Sequence, residues 1–149
     1  MPRLFDIDLV PVSVSADATF FDAANTLVAH PVSTIAVVDG AGHVVGLFDG
    51  ADLLEGLFPA YLKELHHTVF VRDDVDLLDR RAREVGGDPV ERHMRRPLTV
   101  DAETSATHVA ELFLHCGLDA LPVVESGRFV GMLGRSEFCQ ALLHRPADG

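Results

Sequence analysis

The chain contains an internal repeat, and this duplication limits its fold more than any local pattern does. Residues 14–54 run VSADATFFDAANTLVAHPVSTIAVVDGAGHVVGLFDGADLL, and residues 100–139 run VDAETSATHVAELFLHCGLDALPVVESGRFVGMLGRSEFC, one residue shorter. Val14/Val100, Ala16/Ala102, Ala24/Ala110, Val37/Val123, Val38/Val124, Val45/Val130 and Gly46/Gly131 coincide. A unit of roughly fifty residues cannot bury a three-stranded sheet with two short helices alone, whereas two copies packed sheet to sheet can.

Each copy implies the same elements. A short apolar segment (12–14; 98–100) precedes a helix start rich in acidic and hydroxyl residues. An amphipathic helix follows over 20–29 and again over 106–115, where Val109, Leu112, Phe113 and Cys116 recur at the spacing of one helix face. Two β-rich runs come next, 34–39 with 43–48 and 120–125 with 128–133. The turn residues between them, AspGlyAlaGly and GluSerGly, predict hairpins. A closing helix spans 51–58 and 136–143. The expected fold class is therefore mixed α/β (α+β), two βαββα repeats related by a pseudo-twofold axis.

The repeats account for residues 1–58 and 90–149, and residues 59–89 form a helical insertion between them. Leu54, Leu57, Phe58, Tyr61, Leu62 and Leu65 continue a helical stripe past Pro59. Asp73 or Asp74 is placed to cap a second helix, with Val75, Leu78, Ala82 and Val85 on its apolar face and Gly86 at its end.

Composition narrows the function. At 149 residues with 48% hydrophobic and 23% charged residues, the chain suits one packed domain or two half-size units sharing a core. A formal charge of -11 argues against a nucleic-acid backbone or an anionic membrane surface as partner. MPRLFDIDLV lacks a basic region followed by an apolar stretch, and no apolar run approaches bilayer length. The expectation is a soluble cytoplasmic protein, with Cys116 and Cys139 as buried thiols. His66 and His67 are adjacent and would point apart on a helix, and no HxxxH, HExxH, P-loop or GxSxG spacing occurs. No metal site, no required cofactor and no enzymatic activity are expected.

The order and spacing of HMRRPLTVDAETSATHVAELF, GLDALPVVESGRFVGML and a carboxylate before a helix, matched by STIAVVDGAGHVVGLFDGADLL, resemble a tandem pair of CBS (cystathionine-β-synthase-type) domains. The resemblance covers roughly residues 12–58 and 90–143. It implies a stand-alone regulatory module binding an adenosine-type ligand (AMP, ADP, ATP or S-adenosylmethionine) in clefts between the repeats. The family's ligand pattern is glycine, two apolar residues, Thr or Ser, two variable residues, then Asp. The hydroxyl meets phosphate and the Asp accepts from the ribose hydroxyls, as two neighbouring hydroxyls suit a carboxylate's lone pairs.

Carried onto this chain, the resemblance puts Asp52 at the ribose position of the first repeat and Asp49 where Thr or Ser is expected. In the second repeat Gly134 replaces the hydroxyl residue and Glu137 the Asp, while Arg135 lies one residue from the place of a common arginine. The base would lie among Val14, Thr34, Ile35 and Ala36 in one repeat and Val100, Ala120, Leu121 and Pro122 in the other. Asp49 facing a phosphate would be repulsive unless a cation or an arginine neutralised it.

Alternatives stand beside each reading. A carboxylate in a helix's first turn is also stabilising through the helix dipole alone, which would account for Asp52 and Glu137 without any ligand. Arg80, Arg81, Arg83, Arg92, Arg95 and Arg96 suit an anion clamp, or a solvated face paired with Asp73, Asp74, Asp76, Asp79 and Glu84. Apolar stripes on the closing helices predict a homodimer. The competing function is a ligand-free module for dimerisation and docking of an effector protein.

Overall fold

The computed structural model describes residues 7–58 and 74–144. Repeat 1 comprises strand β1 (Ser13–Ser15), helix α1 (Phe20–Val28), strands β2 (Thr34–Val38) and β3 (Val44–Asp49), and helix α2 (Gly50–Leu57). Thr19 starts α1: its hydroxyl accepts from Asp22 N at 3.1 Å, and Asp22 Oδ2 accepts from Thr19 N at 3.2 Å. Two amides that a helix start leaves open are thereby satisfied. The helix turns Phe20, Ala23, Ala24 and Leu27 inward.

Helix α3 (Asp74–Val85) and a 3-10 turn (Val90–Arg92) lead towards repeat 2. Val85 is buried, and Gly86 after it fits tightly against Phe21, so close that a Cβ there would lie 2.7 Å from the ring. Arg81 Nε donates to Gly56 O at 3.0 Å, joining α3 to a carbonyl near the end of α2. The rest of the expected insertion, including Tyr61, Leu62, Leu65, His66, His67 and Asp73, lies outside the described residues, as do the side chains of Val75 and Leu78.

Repeat 2 comprises helix α4 (Ala106–His115), strands β4 (Ala120–Glu125) and β5 (Arg128–Gly134), and helix α5 (Arg135–Leu143). Its opening strand is reduced to a parallel bridge between Val100 and Val123, equivalent to the Val14–Val37 pair of β1 and β2. Both hairpins shift register at the same place, after Val37 and after Val123. The β4–β5 turn has Ser126 and Gly127 at φ 51° and 80°, the left-handed pair that a two-residue hairpin turn requires. The matching registers support the repeat alignment residue by residue.

The sheets are completed by exchange. Val10, ahead of strand β1 in repeat 1, pairs with Met132 on β5 through N–H to O distances of 2.9 and 2.7 Å. Arg95, ahead of helix α4 in repeat 2, pairs with Leu47 on β3 of repeat 1 at 2.9 and 3.1 Å. Each repeat thus closes the other's sheet edge, which leaves fewer unpaired strand groups. The duplicated glycines make room for this: a Cβ on Gly46 would strike Met94, and one on Gly131 would lie 2.6 Å from Leu9 Cβ.

The core is shared in the same manner. Ala120 and Met132 of repeat 2 pack in the cluster of Phe20, Ile35, Val37, Phe48 and Val90. Leu47 of repeat 1 packs with Val109, Phe113, Leu121, Val123 and Leu133. One expectation fails here: Cys116 and Cys139 are free and exposed. Cys116 is the residue after α4, where the helical stripe has left the core, and Cys139 lies beside buried Phe138 with its own side chain outward. Among the described residues, no helix is long and apolar enough to cross a membrane.

Candidate functional site

Helix α2 begins where β3 ends, and its first turn holds both candidate carboxylates. Asp49 is the N-cap: its Oδ1 accepts from Asp52 N at 3.0 Å, and Asp52 Oδ2 accepts from Asp49 N at 2.9 Å. A capping box normally pairs Ser or Thr with Glu; here two aspartates perform it, each shielding the other's amide. Both are buried, at 8% and 9% exposure, so the usual reason for a surface cap does not cover them. Two desolvated carboxylates side by side are relieved by protonation of one of them or by a nearby cation.

Arg95 supplies it. Its Nη2 lies 3.2 Å from Asp49 Oδ2 and 3.4 Å from Asp49 Oδ1, and its Nε lies 3.4 Å from Asp52 Oδ2. The Nε contact is an ion pair without hydrogen-bond alignment, and that atom is buried with no other partner. Burial raises the Asp52 carboxyl to about 6; hydrogen bonding within the capping box opposes this, the neighbouring Asp49 carboxylate adds to it, and Arg95 opposes it last. Asp52 Oδ1 accepts no hydrogen bond among the described residues, whereas the other three carboxylate oxygens are engaged.

Thr34 faces Asp49 across the β2–β3 pair and is buried. Its hydroxyl donates to Asp119 Oδ1 at 3.2 Å, and Ser33 N donates to Asp119 Oδ2 at 3.3 Å. This single carboxylate ties the start of β2 to the start of β4. The backbone repeats itself around it: Gly50 N donates to Ser33 O at 3.2 Å, and Arg135 N to Asp119 O at 2.8 Å.

The second helix start differs. Gly134 is the N-cap of α5 and offers no side chain, and Glu137 is exposed. The Glu137 carboxylate bends back over Gly134, where an added Cβ would lie 2.9 Å from Glu137 Cδ. Arg135 is exposed and contributes only its backbone to the contact with Asp119. Val10 occupies the place that Arg95 has in the first site, so no cation arrives from the crossing segment.

The expected base-lining residues divide likewise. Val14, Ile35, Ala36, Ala120, Leu121 and Pro122 are buried strand residues, and Val100 a buried bridge residue, near the meeting of the repeats. Ile35, Ala36, Ala120 and Leu121 have no exposed surface at all and belong to the core. Of the six clustered arginines, Arg95 joins the carboxylates, Arg81 pairs with Glu84 at 3.6 Å and Arg92 with Asp88 at 3.9 Å, and Arg80, Arg83 and Arg96 are exposed. Asp119 is the site residue that spacing alone does not single out, whereas Arg95 is one of the six arginines read from the sequence as an anion clamp or a solvated face. Asp119 had one signal, its alignment with Ser33 at the foot of the equivalent strand.

The family model for the CBS domain matches residues 7–58 and again 90–144. Among solved structures, the CBS domain of a CBS domain containing membrane protein from Sphaerobacter thermophilus is 26% identical, with 93% of this chain and 86% of that one covered and a TM-score of 0.68. CBSX2, solved in complex with AMP, is 25% identical, with 96% and 97% covered and a TM-score of 0.67. A CBS-domain containing protein from Agrobacterium tumefaciens is similar in fold at 22% identity, with 93% and 95% covered and a TM-score of 0.62. A search of curated proteins returns no match.

Proposed function

The chain belongs to the CBS domain family as a tandem pair, and from that premise we propose that it is a non-catalytic, cytoplasmic regulatory module binding an adenosine-type ligand at the first repeat. The observation that carries this reading is Asp52: a buried carboxylate at the family's ribose position whose Oδ1 is left without a partner among the described residues. A sugar hydroxyl is the kind of donor such an oxygen takes. The AMP complex of CBSX2 supports the ligand class. The second site, with Gly134 and an exposed Glu137, offers less to a ribose.

The test is a thermal-melting panel of adenosine, AMP, ADP, ATP and S-adenosylmethionine. A ligand at about 100 times its dissociation constant stabilises the fold by roughly 2.7 kcal/mol, a shift that melting resolves easily. Asp52→Ala should abolish the shift. No shift with any of the five for wild type or Asp49→Ser would leave the ligand-free interaction module as the function. We also propose a homodimer, supported by the exposed apolar side chains of Leu54 and Leu143 on the two closing helices. Light scattering at micromolar concentration that finds only a 16.1 kDa species defeats it.

A further inference from the structure

The first-repeat site has a charge problem that the second does not. Asp49 stands at the position where the family pattern places a phosphate-contacting hydroxyl, and it is buried beside a second carboxylate. Left alone, this pair would repel any 5′-phosphate and restrict the site to uncharged or cationic adenosyl compounds. Arg95 changes that balance, and it comes from outside the repeat it serves: its backbone is bonded to Leu47 on the segment that enters repeat 2.

The guanidinium is only partly used. Nη2 is committed to Asp49, while Nε, though close to Asp52, makes no hydrogen bond. Nη1 makes no hydrogen bond among the described residues, and the side chain keeps 37% of its surface exposed beside carboxylates that are nearly closed off. An arginine has five N–H donors in a rigid fork, so holding Asp49 with one edge leaves donors for an anion on another.

We propose that Arg95 is the specificity-determining residue of the first-repeat site: it cancels the charge of Asp49 and offers its remaining donors to a ligand's 5′-phosphate, so that the site takes a phosphorylated nucleoside. This rests on the adenosine-ligand reading above and deepens it. Asp52 then serves the sugar and Arg95 the phosphate. The arginine expected just before the family's Asp is Ala51 here, and its task falls to a residue on the crossing segment.

Calorimetric titration of AMP and adenosine into wild type, Arg95→Gln, Arg95→Lys and the double variant Arg95→Gln/Asp49→Ser tests this. Arg95→Gln should weaken AMP by roughly tenfold or more while changing adenosine little, the scale expected for loss of one close charge partner. Arg95→Lys should fall between, since it keeps the charge and loses the fork. Asp49→Ser on the Arg95→Gln background should recover much of the AMP affinity by removing the repulsion. Equal weakening of AMP and adenosine in Arg95→Gln means a purely structural ion pair and overturns the inference, as does an unchanged ratio. If Arg95→Gln does not fold, Arg95→Lys and the double variant still report the ratio. A wild type that binds neither compound overturns the ligand reading itself, and this inference with it.

Discussion

The two helix starts, 49–52 and 134–137, occupy equivalent places and hold different chemistry. Their backbones agree closely: a strand ends, a helix begins, and a segment from the other repeat pairs with the strand two residues earlier. In one, that segment brings Arg95 to two buried aspartates; in the other it brings Val10, beside a glycine cap and an exposed glutamate. Backbone symmetry follows from shared packing and pairing, which the core demands of both halves. Site chemistry depends on single side chains at the crossing, which the core leaves free to differ.

The comparison should hold most strictly in the core. Val37 and Val123 are both without exposed surface and pair with Val14 and Val100 in the same way. Val37→Ala and Val123→Ala should each cost about 2–3 kcal/mol by chemical denaturation, from lost burial and the cavity left behind. A large disparity between them would break the equivalence of the repeats.

The crossing glycines should show a graded difference. Gly131→Ala places a methyl 2.6 Å from Leu9 Cβ, an atom fixed to the backbone, whereas Gly46→Ala chiefly meets the flexible Met94 side chain, with Arg95 O at 3.1 Å. Overpacking of this kind costs about 1–3 kcal/mol, with Gly131→Ala at the upper end and Gly46→Ala at the lower. Equal midpoints for the two would mean that both segments yield alike.

The smallest effect should separate the helix starts by pH. Because the folded Asp52 carboxyl titrates near 6, above its ordinary 3.8, its protonation favours the folded state. Its contribution is fully present below about 3.8 and is lost as pH rises through 6. Asp52→Asn should remove this dependence, so the wild-type-minus-variant stability should change by about 1 kcal/mol between pH 5 and pH 6, with the wild type gaining on acidification. Glu137→Gln should leave that slope in place. An Asp52→Asn protein that parallels wild type across the range would show that Arg95 fully compensates the burial.

Much of the fold was legible because its signals are local. The β-rich runs TIAVV and VVGLFD, the stripe of α1 and the Ser-Gly turn at 126–127 each declare themselves within a few residues. Cys116 misled because composition says what thiols usually do, while its exposure was decided by where α4 ends. Asp52 was legible by resemblance, with capping and ligand contact left open. The structure makes it a cap, a buried acid and a carboxylate with one oxygen to spare.

The amino-acid sequence alone determined the duplication, the β-α-β-β-α order and the position of the carboxylates, since periodicity and spacing are properties of neighbours along the chain. Tertiary structure alone decided that residue 10 closes the sheet of repeat 2 and residue 95 that of repeat 1. It also decided that Gly46 and Gly131 are glycines because another segment passes over them. Pairing across more than forty residues leaves no periodic trace, because a strand edge accepts any backbone that reaches it. Which side chain rides in on that backbone, Arg95 or Val10, then separates a charged, buried site from an open helix cap.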